Sequence, residues 1–397
     1  MRILQSYDEI MTVGKECLEK RTKNPKPAIS GGMTKLPPQI DGPWEQSVEA
    51  LEHTIKYVFE HLHHSCYFLC VTDGKPTIYK IVNRTTAPIF KTKIDKTLKQ
   101  RKIKAKNKTW RVIQCVLKEH SKEEGTSVEW ERFFNELPYE LPNGVYLLNL
   151  TDAVLLRKDN KEPWPMAGDK DLGNYKFSTH IPILGGSSQK GFYDIPIPNY
   201  DDVRIVLGYD KVTLSEIDWN AKKDVAVFRG TPTGCGTSTE TNQRLKLATM
   251  KDQDLDVGVT SIPKNKFKYD PKAGLSITKE VSTVPFMDMM KEQIKHKYII
   301  HVDGNVAAYR LLKSMLTKSV ILKVEGDYIL WVDHLLQPMK HYVPVKADLS
   351  DLKEQLEWCR QNDSKAKKIA ERGYKFALKA LTKEYVFGSL AKIFWKV

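Results

Sequence analysis

The chain has 397 residues, 41% apolar and 28% charged, with a formal net charge of +14. That is enough apolar material for two cores of ordinary size, and it excludes a disordered chain, a collagen-like repeat or a small disulfide-stapled scaffold. No run of about 18 apolar residues is present, so no transmembrane helix is expected; Asp8, Glu9 and Lys15 interrupt the stretch where a signal peptide needs unbroken apolar residues, and the expectation is a soluble, cytoplasmic protein.

Residues 44–64 place apolar side chains at Val48, Leu51, Ile55, Val58 and Leu62, a spacing that predicts a helix. Residues 66–82 are two apolar runs around Asp73-Gly74, which predicts a hairpin. From Lys91 to Lys108 there are nine basic residues against one acid, Asp95. Such a run could touch nucleic acid, but no aromatics are interleaved for base stacking, so a solvated basic face is expected. WRVIQCVL (110–117) and GVYLLNL (144–150) read as strands. Residues 157–201 are rich in Pro, Gly, Asp and Asn, the composition of a functional loop or an interdomain connection.

The second half alternates. Strand signals at 224–230, 297–304, 319–324 and 341–346 are separated by helical stretches at TNQRLKLATM and NVAAYRLLKSMLTK, and a further helix after 348 takes Asp348 or Ser350 as its N-cap. The segment 364–397 reads as helical. Strand–helix alternation predicts a parallel, doubly wound sheet. The chain therefore reads as two α/β halves with a boundary near residues 203–222. The six cysteines are scattered and few for the length, which predicts free thiols.

Three groups of residues can carry chemistry. Arg229-Gly230-Thr231 opens a glycine-bearing loop that ends near Arg244; backbone amides in such a loop approach an anion closely, and an arginine in the following helix can reach a phosphate. The same pattern fits an ordinary strand–helix turn. Asp303-Gly304-Asn305-Val306-Ala307-Ala308-Tyr309-Arg310 repeats the arrangement, with a helix expected to start at the glycine and Arg310 one turn in. Close helix–sheet packing by the alanines is the alternative. The third group is Asn149-Leu150-Thr151-Asp152, where a carboxylate at a strand end could serve as a general base or simply close a turn. His341 precedes a strand and either lines a ligand pocket or packs. His61, His63, His64, Cys66 and Cys70 have no second ligand pair at zinc spacing, and Asp252-Gln253-Asp254 reads as a solvated turn, so no metal site is expected.

FRGTPTGCGTSTETNQRLKLA, KYIIHVDGNVAAYRLLKSMLTKSVILK and the stretch from WVDHLLQPMKHYVPVK to AERGYKF, together nearly continuous over 224–377, resemble glycosyltransferase family 90. The family includes protein O-glucosyltransferases, fungal capsule xylosyltransferases and lipopolysaccharide-modifying enzymes. The resemblance implies an α/β protein of the GT-B fold, two Rossmann-like domains facing a cleft: an acceptor-side domain (1–205), a nucleotide-sugar-binding domain (206–380) and a closing helix (381–397) that packs back toward the first. It implies inverting transfer of glucose or xylose from a UDP-sugar to a glycan or protein hydroxyl, with no cofactor and no metal. It places donor contacts at Thr231, Arg244 and Asn305 to Arg310, and the acceptor-activating base at Asp152. The family pattern has Arg before that Asp and Tyr-Pro after it, whereas here the neighbours are Thr151 and Ala153. The Trp/Tyr/Pro-rich acceptor segment of the secreted O-glucosyltransferases is missing, so an EGF-repeat acceptor is not expected. A nucleic-acid-binding protein using Lys91–Lys108, or an inactive GT-B glycan-binding protein, is the competing reading.

Overall fold

A computed structural model describes residues 2–21, 24–83, 123–163, 171–212, 214, 217–234, 236–262, 267–270, 274–277 and 281–397. The basic run at 91–108 and the strand expected at 110–117 lie outside them. The chain divides into two units, one of residues 1–203, 329–331 and 384–397, the other of residues 204–328 and 332–383.

The first unit is built on a six-stranded sheet. Its strands are β1 (Arg2–Leu4), β2 (Cys66–Thr72), β3 (Lys75–Ile81), β4 (Gly144–Asn149), β5 (Ile183–Gly185) and β6 (Ile195–Pro196), in the spatial order β1-β3-β2-β4-β5-β6. Asp73 and Gly74 both adopt positive φ (51° and 70°), which turns β2 antiparallel into β3 as the Asp-Gly pair predicts. Strand β2 also pairs antiparallel with β4, while β4–β5 and β5–β6 are parallel. The sheet is therefore mixed, because a two-residue hairpin can only return antiparallel; it departs from the doubly wound pattern expected for a Rossmann-like domain.

Helix α1 (Tyr7–Glu19) is capped by Ser6, whose side chain accepts from Glu9 N, while the Glu9 carboxylate accepts from Gln5 N at 2.7 Å. The helix expected over 44–64 begins at Val48, where Ser47 caps α2 (Val48–Ile55), and ends in a π-helical turn at Lys56–His61. Helix α1 is tied to β2 by a disulfide between Cys17 and Cys70. This corrects the free-thiol reading for that pair: the two residues are 53 apart in sequence, and only the packing of α1 on the sheet brings their Cα atoms to 6.1 Å. Cys66 and Cys359 are buried and outside any disulfide. Helix α3 (Glu123–Asn135) brings Trp130 and Phe133 into the core of this unit.

The second unit holds a five-stranded, wholly parallel sheet. Its strands are β7 (Lys223–Gly230), β8 (Leu255–Val259), β11 (His296–His301), β12 (Val320–Val324) and β13 (Val343–Val345), ordered β13-β12-β11-β7-β8; β9 (Phe267–Asp270) and β10 (Gly274–Ile277) form a separate antiparallel pair. Counted along the chain the large sheet runs 2-1-3-4-5, so the order reverses between β7 and β11. Side chains alternate along the strands. Ala226, Phe228, Tyr298, Ile300, Leu322 and Val345 enter one core with Leu352, Leu356 and Ile369 from α6 (Leu352–Gln361) and α7 (Asp363–Ala380), while Arg229, His301 and Lys323 fall on the other face. Strand β8 follows the Asp252-Gln253-Asp254 turn, whose carboxylates are held by Lys353 and Arg360.

Two helix expectations are corrected. Helix α4 (Gln243–Thr249) forms as expected from Asn242, which accepts from Leu245 N, but α5 spans only Leu311–Met315. Residues 305–310 are a loop, because Gly304 N donates to Val306 O and Ala308 N to the Asp303 carboxylate, bonds that turn the chain in before a helix can start. Helix α6 starts after Asp351 rather than Asp348 or Ser350, and the Asp351 side chain accepts from Lys346 N instead of capping. Helix α8 (Lys383–Phe394) belongs to the first unit from Glu384 on, where Phe394 packs on Phe134 and Tyr146.

Candidate active site

In open parallel sheets a ligand crevice lies beyond the carboxyl ends of the strands, where the strand order reverses. In the second unit that point is between β7 and β11. The loops leaving those two strands carry the candidate donor residues, and Arg244 joins them. Its side chain is buried, and it donates from Nε to Asp303 O (2.9 Å), from one terminal nitrogen to Thr231 O (2.9 Å) and Thr233 Oγ1 (2.7 Å), and from the other to Val302 O (2.9 Å). A planar fork with fixed donor directions suits such a multi-carbonyl clamp. The guanidinium expected to grip phosphate is thus largely engaged with the loops themselves.

The loops touch closely. Gly234 N donates to Asn305 Oδ1 at 3.0 Å. Gly234 has φ +100°, and a Cβ there would sit 2.9 Å from Gly304 O; a Cβ on Gly304 would meet Thr233 Oγ1 at 2.7 Å. Glycine is required at this crossing on space alone, and at Gly234 on backbone conformation as well. Arg310 donates to Arg229 O at 2.6 Å, and its Cζ lies 5.2 Å from the centre of the Phe228 ring; Arg244 approaches the same ring at 5.9 Å. Arg229 itself is spent on Asp256, with which it forms an ion pair, and on Pro285 O. Val306, Ala307 and Ala308 are buried, Asn305 is exposed, and Tyr309 is half-buried. Thr231, Arg244, Asp303 to Asn305 and Arg310 are therefore brought together. His341 is engaged within its own turn, where its Nδ1 accepts from Gln337 N and its ring lies against Phe376.

Two groups here escaped the sequence reading. Lys323, beside His301 in the register of β11 and β12, pairs with Asp333 at 3.5 Å. Burial pushes the Asp303 carboxyl up to about 6 although Lys323 and Arg244 pull it down. His301 is buried, and neither ring nitrogen has a hydrogen-bond partner among the described residues; burial and the nearby Lys323, Arg310 and Arg244 hold it neutral. A polar residue ending the apolar run Tyr298-Ile299-Ile300 was the signal in the sequence.

Asp152 lies in the first unit, exposed on the turn after β4. Around it Asn149 is buried; its Oδ1 accepts from Thr151 N (3.3 Å) and Thr151 Oγ1 (2.6 Å), and its Nδ2 donates to Ala153 O (2.8 Å). The histidines and cysteines weighed for zinc go separate ways. His61 pairs with Glu162 at 2.7 Å, His64 joins the Asn149 turn, and Cys70 is in the disulfide.

Residues 160–396 match the model of glycosyl transferase family 90, and the chain belongs to that family. It is 33% identical over 267 residues to uncharacterized protein 035R of Invertebrate iridescent virus 3, covering 62% of this chain and 24% of that protein. It is 31% identical over 258 residues to human protein O-glucosyltransferase 3, covering 63% of this chain and 46% of that one. A solved structure, Anabaena Alr3699/HepE in complex with UDP-glucose, aligns at a TM-score of 0.30 and 10% identity, over 50% of this chain and 54% of that one. The chain thus spans from about a quarter to about half of the length of these two curated relatives. Among the described residues no helix is long and apolar enough to cross a membrane.

Proposed function

We propose that this family 90 chain is an inverting glycosyltransferase of the GT-B type that moves glucose or xylose from a UDP-sugar to a hydroxyl of a glycan or protein, without a metal. The observation that carries the reading is the pair of glycine-bearing loops at the strand-order reversal, locked to each other by Arg244 and flanked by Arg310. A crevice of this kind suits a diphosphate: backbone amides and guanidinium groups are fixed in advance where negative charge develops on the departing UDP. Arg244 acts by holding the two loops in register, and Arg310 supplies positive charge beside them.

Inversion needs one in-line displacement at the anomeric carbon. The acceptor oxygen forms the new bond as the bond to the UDP phosphate oxygen breaks, and the electron pair leaves with UDP. Asp152 accepts the hydroxyl proton as that bond forms. One hydroxymethyl group separates glucose from xylose, so pocket shape alone selects between them.

The test is a donor screen on the purified protein with UDP-glucose, UDP-xylose, UDP-galactose, UDP-N-acetylglucosamine and GDP-mannose, with and without EDTA. The expected result is UDP release from UDP-glucose or UDP-xylose, insensitive to EDTA and lost in Asp152→Asn, with UDP affinity retained in that variant. Donor binding without turnover in the unmodified protein would point to a glycan-binding protein instead. No response to any sugar nucleotide would overturn the reading.

A further inference from the structure

The segment 150–156 is irregular, yet buried polar side chains grip it from both ends. Antiparallel pairing of β2 with β4 matches Tyr67 with Leu148, so the residues just before β2 lie beside the end of β4. His64 is placed there, fully buried. Its Nε2 lies 3.2 Å from Asn149 Oδ1 and 3.1 Å from Thr151 Oγ1.

The network determines which nitrogen carries the proton. Asn149 Nδ2 donates to Ala153 O, which orients the amide and leaves Oδ1 as a pure acceptor. The Thr151 hydroxyl spends its proton on that Oδ1 at 2.6 Å, so toward His64 it too is an acceptor. Both partners of Nε2 accept, so Nε2 holds the hydrogen and His64 is the neutral Nε2–H tautomer. Burial works in the same direction and pushes the imidazole down to about 4. At the far end the Asp194 carboxylate, also fully buried, accepts from Leu155 N and Leu156 N at 2.8 Å each, and Tyr57 donates its hydroxyl to Leu155 O at 2.5 Å.

Four buried polar side chains, His64, Asn149, Asp194 and Tyr57, are thus committed to seven residues of loop, and within that loop is one exposed carboxylate, Asp152. Buried polar groups are costly, and apolar packing of the same volume would hold a turn at less expense in desolvation. What the polar cage adds is a single conformation for the exposed residue, the arrangement a reacting side chain needs. We propose that His64 and Thr151 are positioning residues for Asp152: together with Asn149 they lock the 149–153 turn and aim its carboxylate. This rests on Asp152 being the base of the proposed transferase.

The geometry separates two conservative replacements. A glutamine amide can place N–H near the position of Nε2; an asparagine amide reaches only the position of Nδ1. With UDP-glucose as the probe, Thr151→Val and His64→Asn should lower kcat on the order of 10- to 100-fold with little change in KM, since misaiming a reacting group without altering donor contacts costs that much. His64→Gln should recover kcat to within roughly threefold of the unmodified protein. A purely structural role would lower the melting temperature without separating Gln from Asn once rates are scaled to folded protein. If Asp152→Asn abolishes turnover while Thr151→Val keeps the unmodified kcat, the positioning role fails and the base stands. If Asp152→Asn itself keeps full turnover, the base fails and the positioning role with it. Nitrogen-15 NMR of the unmodified protein is independent of turnover: a proton on His64 Nε2 at neutral pH is expected, and a proton on Nδ1 would overturn the network. Should His64→Asn fail to fold, Thr151→Val and the tautomer still decide.

Discussion

Replacing Arg244 with alanine takes four hydrogen bonds from two loops at once, and their sum can be worked out from where each acceptor lies. Val302 O is buried, so losing its donor leaves an unsatisfied carbonyl at about 1–3 kcal/mol; the other three acceptors are half-buried and water can partly replace the guanidinium, at about 0.5–1.5 kcal/mol each. The loss should total about 2.5–7.5 kcal/mol in the second unit, centred near 5. For a unit of this size a loss of about 5 kcal/mol lowers its melting transition by roughly 10–20 °C. Arg244→Lys should recover little, because a single ammonium cannot reach carbonyls on both loops. The assay is differential scanning calorimetry of the three proteins, paired with titration of UDP. The loop clamp predicts that stability and UDP affinity fall together in both variants. An Arg244→Ala protein that melts with the parent but no longer binds UDP would refute the clamp and make Arg244 a plain phosphate ligand.

Three further outcomes are expected. His64 and His180 are buried and held down to about 4, below their ordinary value near 6.5; each therefore contributes stability that is complete above that value and lost as pH falls toward 4, up to about 3 kcal/mol apiece, partly offset by Asp194, whose raised value works the other way. Thermal melts from pH 7 to 4.5 should show this acid slope, and His64→Gln should flatten it; an equal slope in the variant sinks the assignment. Asp202 is buried, accepts from Trp331 Nε1 and Asn199 Nδ2, and is pushed up to about 8. Its contribution is complete below about pH 4 and lost as pH rises to 8, so Asp202→Asn should match the parent near pH 4, gain on it by about 1.4 kcal/mol per pH unit between roughly 4 and 8, and gain nothing further above 8; a pH-independent gap between the two refutes this. Reduction of Cys17–Cys70, which closes a separation of 53 residues, should cost about 4 kcal/mol on the chain-entropy model. Urea unfolding with and without reductant measures it, and Cys17→Ser should remove the difference; identical curves for the parent would refute the bond.

Local signals carried much of the secondary structure. Asp73-Gly74 specifies a hairpin because those residues tolerate positive φ, and the apolar runs that became β7, β11, β12 and β13 are continuous because both faces of a parallel sheet are covered. Where the local signal was ambiguous, tertiary contacts decided. Residues 305–310 have helical composition, but bonds from Gly304 and Ala308 bend them into a loop. Strand β8 was hidden behind a polar turn whose carboxylates are matched by Lys353 and Arg360, both distant in sequence.

The family-specific stretches, the glycines at the loop crossing and the arginines beside them are properties of the sequence itself, since side-chain size and charge are written residue by residue. What those arginines hold could not be read there. Arg244 grips carbonyls 13 and 58 residues away in the chain, and His64 meets Thr151 across a separation of 87. Hydrogen bonds of that range have no local signature in composition or periodicity. They exist only because strand order in one unit and antiparallel pairing in the other carry remote backbone to within 3 Å or so of a side chain.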